Sequence, residues 1–504
     1  MDPIPTLWTQ TTAMPESQAP APSQSPGPSK RPRHGQAPVA PLLPEDVIAE
    51  QILTRVPAAA TVRFRAVCRA WRAALASDHF VRAHHAIRAA AQPRPEIVFF
   101  APAAANPTAT AFYSFKLPLT TTQRNGSSSG EAPAVASARE LVTVEDLRAG
   151  DLALCGTKPC HGLTLLFQPR ASAYHVCNLS TGEHVSLPPC ALATGEIPRT
   201  AHVFSSAGLG FDPVAGEHKV VRLYEDRDQM QQRCEVYGLR SGEWRPCAGQ
   251  VPPHAAKGLD GSPPVFLDGC FYWHIDSWKN FDGWEATWFR TPEPILSLSV
   301  ATEQFGWVRP PEERAESVTS LVELDGSLCA VVDARLGSEV YELWTRRTAA
   351  SSGPWTLRCR ISLATLPAPT RDDMGRGIRM LPLGSSPGEK TILLATSRHM
   401  VYAYDPESGS VDRVFSMQEF VDTPGEARLL LNVALHEESV AGVRHRPAAG
   451  DGGQLKMKLG SNTVAKREGP VAQYRDEFDI TPKSVQLMLA IAMAHYNGIV
   501  NMHN

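Results

Sequence analysis

Leu43-Pro44-Glu45-Asp46 opens the stretch that decides the fold. It continues through Val47-Ile48-Ala49-Glu50-Gln51-Ile52-Leu53-Thr54-Arg55-Val56-Pro57 and Val62-Arg63-Phe64-Arg65-Ala66-Val67-Cys68-Arg69-Ala70-Trp71-Arg72 to Leu75. Two short helical patterns are set apart by prolines. In the second, Phe64, Val67, Cys68, Trp71 and Leu75 recur at i, i+3, i+4, i+7 and i+11, which predicts one amphipathic helix over 62–75. Arg63, Arg65, Arg69 and Arg72 fall off that stripe and give the helix a basic side. Ile48, Ile52, Leu53 and Val56 supply a matching face on the first pattern. A unit of roughly 45 residues buries too little apolar surface to stand alone, so this face is expected to need a partner.

The residues resemble the F-box. That family runs Leu-Pro-x-Asp, an apolar helix closing on Ile-Leu-x-Arg-Leu-Pro, and Arg-Phe-Arg-x-Val-Cys-x-x-Trp. The chain has Leu43-Pro44-Glu45-Asp46, Ile52-Leu53-Thr54-Arg55-Val56-Pro57 and Arg63-Phe64-Arg65-Ala66-Val67-Cys68-Arg69-Ala70-Trp71 at the matching places, and Ser77-Asp78-His79-Phe80 with His84-His85 follows as in the family. Two departures stand out. Between Asp46 and Ile52 there is one residue more than the common spacing, with Gln51 as the extra. One residue turns a helix by about 100°, so a bulge or a shifted register must absorb it. Thr61 stands where the family has Leu, at the expected edge of the face.

With 504 residues the chain has room for two or more domains. Its formal charge of −3 gives no reason to expect nucleic acid or a membrane surface as the main partner. The ten cysteines are scattered, unlike those of a small disulfide scaffold. The first 40 residues carry no apolar signal-peptide core, and the run 485–494 is too short to span a bilayer. The expectation is an intracellular protein, cytoplasmic or nuclear, with reduced thiols.

In order, residues 1–40 read as a disordered Pro/Ser/Ala-rich leader, with a small basic cluster at Lys30-Arg31-Pro32-Arg33. Residues 41–91 form the helical unit. From 95 to 443 the grammar is that of many short strands between Gly, Asp, Asn and Pro turns. A loose repeat of strand, tight turn and returning strand emerges at Ser180-Thr181-Gly182, Ser241-Gly242, Thr302-Glu303, Gly353-Pro354 and Ser408-Gly409. Successive turns lie roughly 50–60 residues apart, near the blade period of a kelch-like propeller. Second hairpins sit at Leu267-Asp268-Gly269-Cys270 and Leu324-Asp325-Gly326-Ser327. The expected fold is therefore multidomain: a small all-α unit, an all-β propeller of about six or seven blades, a polar linker over 444–480 and a C-terminal amphipathic helix over 481–504.

The β region resembles the F-box-associated propeller of a large plant family. The resemblance is carried by Gly210-Phe211-Asp212-Pro213 with Glu217-His218-Lys219-Val220-Val221, by Cys234-Glu235-Val236-Tyr237, by Phe271-Tyr272-Trp273 and by Val401-Tyr402-Ala403-Tyr404-Asp405-Pro406. It implies a non-catalytic receptor subunit of a Skp–cullin–F-box ubiquitin ligase. Leu43, Pro44, Ile48, Ile52, Leu53, Val67 and Trp71 would dock a Skp-type adaptor, through which cullin and RING subunits join. The propeller would capture a protein substrate. A Skp-bound protein outside any ligase and a propeller enzyme are the alternatives.

No catalytic residue, metal site or cofactor is expected. Cys155 and Cys160-His161 form an incomplete zinc corner and are read as packing, with Cys160-His161-Gly162-Leu163 at the family's Cys-x-Gly-Leu turn. Gly208-Leu209-Gly210 is read as a turn into a strand, and His436-Glu437-Glu438 lacks the second His of a zinc-protease motif. Among the aromatics from Trp273 to Phe289, Trp273 is expected to pack. Trp284 and Trp288 are the candidates for substrate contact.

Overall fold

Each expected turn between 95 and 443 that can be followed closes a hairpin, and the hairpins stack into a ring of six sheets. The structure is a computed structural model. It describes residues 47–91, 95–117, 136–188, 205–226, 231–253, 255, 259, 262–275, 295–335, 337–347, 353–375, 378–385, 391–423, 432–443 and 455–467. Leu43, Pro44, Trp284, Trp288, the leader and the expected C-terminal helix lie outside the described residues.

The first blade contains β1 (Glu96–Ala103), β2 (Asn106–Lys116) and β3 (Ser137–Glu145). The second runs β4 (Ala153–Leu154), β5 (Thr164–Gln168), β6 (Ala173–Cys177), β7 (His184–Ser186). The third runs β8 (Ser205–Asp212), β9 (Glu217–Asp226), β10 (Gln231–Gly238), β11 (Trp244–Pro246). The fourth runs β12 (Val265–Leu267), β13 (Cys270–His274), β14 (Ile295–Ser299), β15 (Phe305–Val308). The fifth runs β16 (Val318–Leu324), β17 (Ser327–Asp333), β18 (Val340–Arg346), β19 (Thr356–Ser362). The sixth runs β20 (Met380–Ser385), β21 (Ile392–Thr396), β22 (Met400–Tyr404), β23 (Val411–Ser416). All are antiparallel meanders. The first strands of the third to sixth blades touch one another in succession and so line the axis.

The ring closes by strand exchange between distant parts of the chain. β24 (Val433–Leu435) pairs with β1 in the register Ile97↔Leu435, Val98↔Ala434, Phe99↔Val433 and so completes the first blade from the far end of the propeller. On the opposite edge, β25 (Lys456–Leu459) and β26 (Thr463–Ala465) both pair with β3. The stretch read as a polar linker therefore carries two strands. They cover an edge that would otherwise leave a row of backbone groups unpaired.

Local chemistry explains the hairpins. Asp268-Gly269 and Asp325-Gly326 have φ of 49° and 74°, and 51° and 73°, the two positive values a type I′ turn requires. The turns between third and fourth strands share one bond: Gly182 N–H donates to Asn178 O, Gly242 to Gly238, Glu303 to Ser299 and Gly409 to Asp405. Gly208 and Gly210 lie inside β8 rather than in a turn. A Cβ at either would come within 2.8 Å of the Phe271 ring, so glycine lets the next blade press on the backbone.

The helical unit departs from its expected form. Residues 62–75 are not one helix: α1 (Ala58–Phe64) ends, and α2 (Arg69–Leu75) starts after Cys68, whose φ of −155° and ψ of 168° are extended. The Cys68 sulfur accepts the Trp71 N–H at 3.3 Å in the N-cap position. The apolar stripe is thereby split, with Leu75 buried and Val67 63% exposed. α3 (Asp78–Ala91) completes the unit. Before α1, Ile48–Ile52 is a π-turn in which the Leu53 N–H reaches back to Ile48 O. An i→i+5 turn holds one residue more than an α-turn, so the extra residue near Gln51 is taken up as a π-bulge.

Candidate functional site

All described residues, helices and propeller alike, fall in one compact unit that begins at Asp46. The helical unit is joined to the propeller through the segment that follows β24. Glu438, whose side chain is 6% exposed, accepts the Ala58 N–H at 2.9 Å and pairs with Arg88. Burial acts to raise its carboxyl, but the Ala58 N–H and Arg88 outweigh it and hold the group below the usual carboxylate range. Val440 enters the core formed by Leu53, Ala58, Leu75 and Phe80. Arg65 donates to Val440 O at 2.8 Å, to Leu75 O at 3.2 Å and to Glu183 Oε1 at 2.7 Å. The segment is held from the other side by Asn178, whose Nδ2 donates to Ser439 O at 3.0 Å and Ala441 O at 2.8 Å. Val440 was not among the residues singled out in the sequence, and neither Glu183 nor Glu438 was read as a contact to the helices. They lie more than 100 positions from their helical partners, and Glu438 drew notice only as part of His436-Glu437-Glu438, a failed metal motif.

The expected adaptor-docking residues divide into two sets. Ile52 is 44% and Val67 63% exposed, two large apolar side chains left facing solvent. Ile48 and Trp71 are half-buried, and Trp71 stands edge-on to Phe64 with ring centroids 5.9 Å apart. Leu53 is 4% exposed and belongs to the core of the unit, where it supports the face instead of forming it. Thr61 is also inside. Its hydroxyl donates to Pro57 O at 3.2 Å, so a buried polar group is satisfied and the outer edge is untouched.

The second candidate surface is the axial channel. It encloses a cavity of about 450 Å³ lined by first strands of several blades, with Lys158, Glu323, Asp268, His274 and Arg379 among its polar groups. Lys158 and Glu323 form an ion pair across it. His85 of α3 reaches the same cavity and lies 3.5 Å from Glu437. Among the described residues, no cluster of three or more His, Cys, Asp or Glu has metal-holding geometry. Burial pushes the Cys155 thiol up to about 12 and raises that of Cys160, as expected of packed thiols. Cys160 bridges Leu163 across the His161-Gly162 turn, with both central φ values positive. Trp273 is 1% exposed, and its Nε1–H donates to Ser206 Oγ at 3.1 Å, so it packs between blades.

The F-box associated beta propeller domain matches residues 116–429. An F-box/LRR-repeat/kelch-repeat protein of Arabidopsis thaliana is 28% identical over 334 residues, 64% of this chain and 77% of the relative. A second Arabidopsis F-box protein is 24% identical over 310 residues, 60% of this chain and 75% of the relative. Among solved structures, apo AztD from Citrobacter koseri aligns at a TM-score of 0.28 and 11% identity over 64% of this chain and 83% of that one. The N-terminal helices fit an F-box, the sheets form a six-bladed propeller, and the domain match spans more than half of the sequence. The chain belongs to the F-box-associated β-propeller family.

Proposed function

We propose that the protein is the substrate receptor of a Skp–cullin–F-box ubiquitin ligase: the helical unit docks a Skp-type adaptor and the propeller captures a protein for ubiquitylation. The observation that carries this reading is the exposure of Ile52 and Val67 on a unit that otherwise turns its large apolar side chains inward. Its chemistry is tethering. A substrate held on the propeller has its lysines at high effective concentration near a charged conjugating enzyme, and no bond is made or broken by the receptor. The docked helical unit supports such a role, because a fixed spacing between adaptor and substrate makes that concentration high. The site of action is intracellular, in the cytoplasm or nucleus, where those partners act. Leu43, Pro44, Ile48 and Trp71 would extend the adaptor face, and Trp284 and Trp288 would contact the substrate.

Ile52→Asp with Val67→Asp tests the docking face without touching the buried core. Capture of a purified Skp-type adaptor is expected to fall at least tenfold, with the melting temperature unchanged. Undiminished capture would remove the assignment. Pull-down of a cullin with the wild-type chain separates a ligase receptor from a Skp-bound protein that never joins a ligase.

A further inference from the structure

β10 and β11 pair in the register Glu235↔Pro246, Val236↔Arg245, Tyr237↔Trp244. The next step places Cys234 directly opposite Cys247, and the Cys247 N–H donates to Cys234 O at 2.8 Å. Residues opposed at such a hydrogen-bonded site have Cα atoms about 5.5 Å apart, inside the range a disulfide spans. Both side chains face the same core, between the third and fourth blades, and the Cys247 thiol donates to Glu303 O at 3.6 Å. Cys234 is buried, whereas Cys247 is partly open to solvent.

We propose that Cys234 and Cys247 are a modification site, at which a peroxide converts two thiols into a reversible cross-strand disulfide. Cys247 is the attacking sulfur. The neighbouring Cys234 thiol lowers its pKa, burial and Glu303 oppose this, and the Gly249 N–H and Arg245 add to the lowering. Its sulfur attacks one oxygen of hydrogen peroxide and the O–O bond breaks. The departing hydroxide takes the Cys247 proton as water, leaving a sulfenic acid. The Cys234 sulfur then attacks that sulfur, the S–S bond forms and the S–O bond breaks. The second hydroxide leaves as water with the Cys234 proton. Two thiols are oxidised, one peroxide is reduced, and a dithiol reductant reverses the change.

Among the described residues, Cys329 and Cys359 lack this arrangement. They sit on β17 and β19 with β18 between them, two strand spacings of about 4.8 Å each. Burial raises the Cys177 and Cys359 thiols to about 12, so neither suits the role of first attacking sulfur that Cys247 takes.

Peptide mapping of the full chain after mild hydrogen peroxide tests the site. Trypsin releases Cys234 in the peptide 234–240 and Cys247 in 241–257, because the Arg245-Pro246 bond resists cleavage. The expected product is these two peptides joined, two hydrogens lighter than their sum, and separated again by dithiothreitol. In Cys234→Ser, Cys247 is expected to stop at sulfenic acid and be captured by dimedone. The proposal is overturned if the wild-type chain gives a dimedone adduct or sulfinic acid at Cys247 with no joined pair. It is equally overturned if Cys234 is found joined to a different cysteine.

Discussion

Glu438→Ala should release the helical unit from the propeller while leaving the blades intact. The carboxylate does two things: it accepts the Ala58 N–H at the start of α1, and it neutralises Arg88. Stranding the N–H costs about 1–3 kcal/mol. Breaking a buried ion pair costs about 3–5 kcal/mol, but the Arg88 side chain is 19% exposed and regains some water. The two losses share one group, and about 3 kcal/mol is a fair total for the local unit. That corresponds to roughly a 100-fold loss of protection, read by hydrogen exchange and mass spectrometry over 58–91. The strands β17, β18, β21 and β22 should exchange as before. Glu438→Gln keeps an oxygen for Ala58 but no charge for Arg88, so its effect should fall between wild type and alanine. The pH dependence has a definite sign. Because the folded carboxyl lies below its ordinary value, its contribution is full above the unfolded carboxylate range and is lost as pH falls through the folded value. Unchanged exchange over 58–91 in Glu438→Ala, or equal loosening of every blade, would refute the reasoning.

Four further outcomes are expected at other positions. Gly162 has φ of +80°, and an added Cβ would land on the Ser439 side chain; Gly162→Ala should therefore lower stability by about 2 kcal/mol or more, measured by urea denaturation, and loosen the helical unit as well. Glu303 holds φ of 54° where the equivalent turns have glycine, and it is kept there by Arg245, Lys219 and the Ala248 N–H. Arg245, against the cost of burial, holds its carboxyl at about 2, so acid should weaken the seam between third and fourth blades progressively as pH falls from the unfolded carboxylate range down to that value. Glu303→Gly should be milder than Glu303→Ala by about 1 kcal/mol, as shown by their urea midpoints. Trp284→Ala with Trp288→Ala should reduce substrate capture while adaptor capture stays intact; loss of both together would argue against a substrate role for these side chains.

The propeller was readable because its signals are local. A turn such as Asp268-Gly269 or Ser408-Gly409 declares its geometry within two residues, and repeated spacing adds the blades. The extra residue near Gln51 was also countable, and its bulge follows from helix pitch. What failed was inference across a break. The stripe from Phe64 to Leu75 has perfect helical spacing, but Cys68 caps a new helix, and spacing alone cannot register an interruption. Lys456-Met457-Lys458-Leu459 alternates like a strand, yet four residues between polar stretches give too little signal, and their partner β3 lies some 300 positions away. The contact between Ala58 and Glu438 is separated by 380 positions. No local pattern encodes it, since a glutamate that will be buried looks like any surface glutamate until its cation and its N–H are brought to it.

The placement of β24 and Val440 also sets an order of events during synthesis. The helical unit leaves the ribosome before the propeller, but part of its core, Val440, is made only after the sixth blade. At about 5–20 residues per second, the stretch from Ala91 to Val433 takes roughly 17–70 s to emerge. Throughout that interval the helices lack Val440 and Glu438, and the first blade lacks the strand that closes it. A chain truncated within any blade never gains these contacts. Closure of the first blade and consolidation of the helical unit are thus one event, and a chain truncated before it carries helices that lack part of their core.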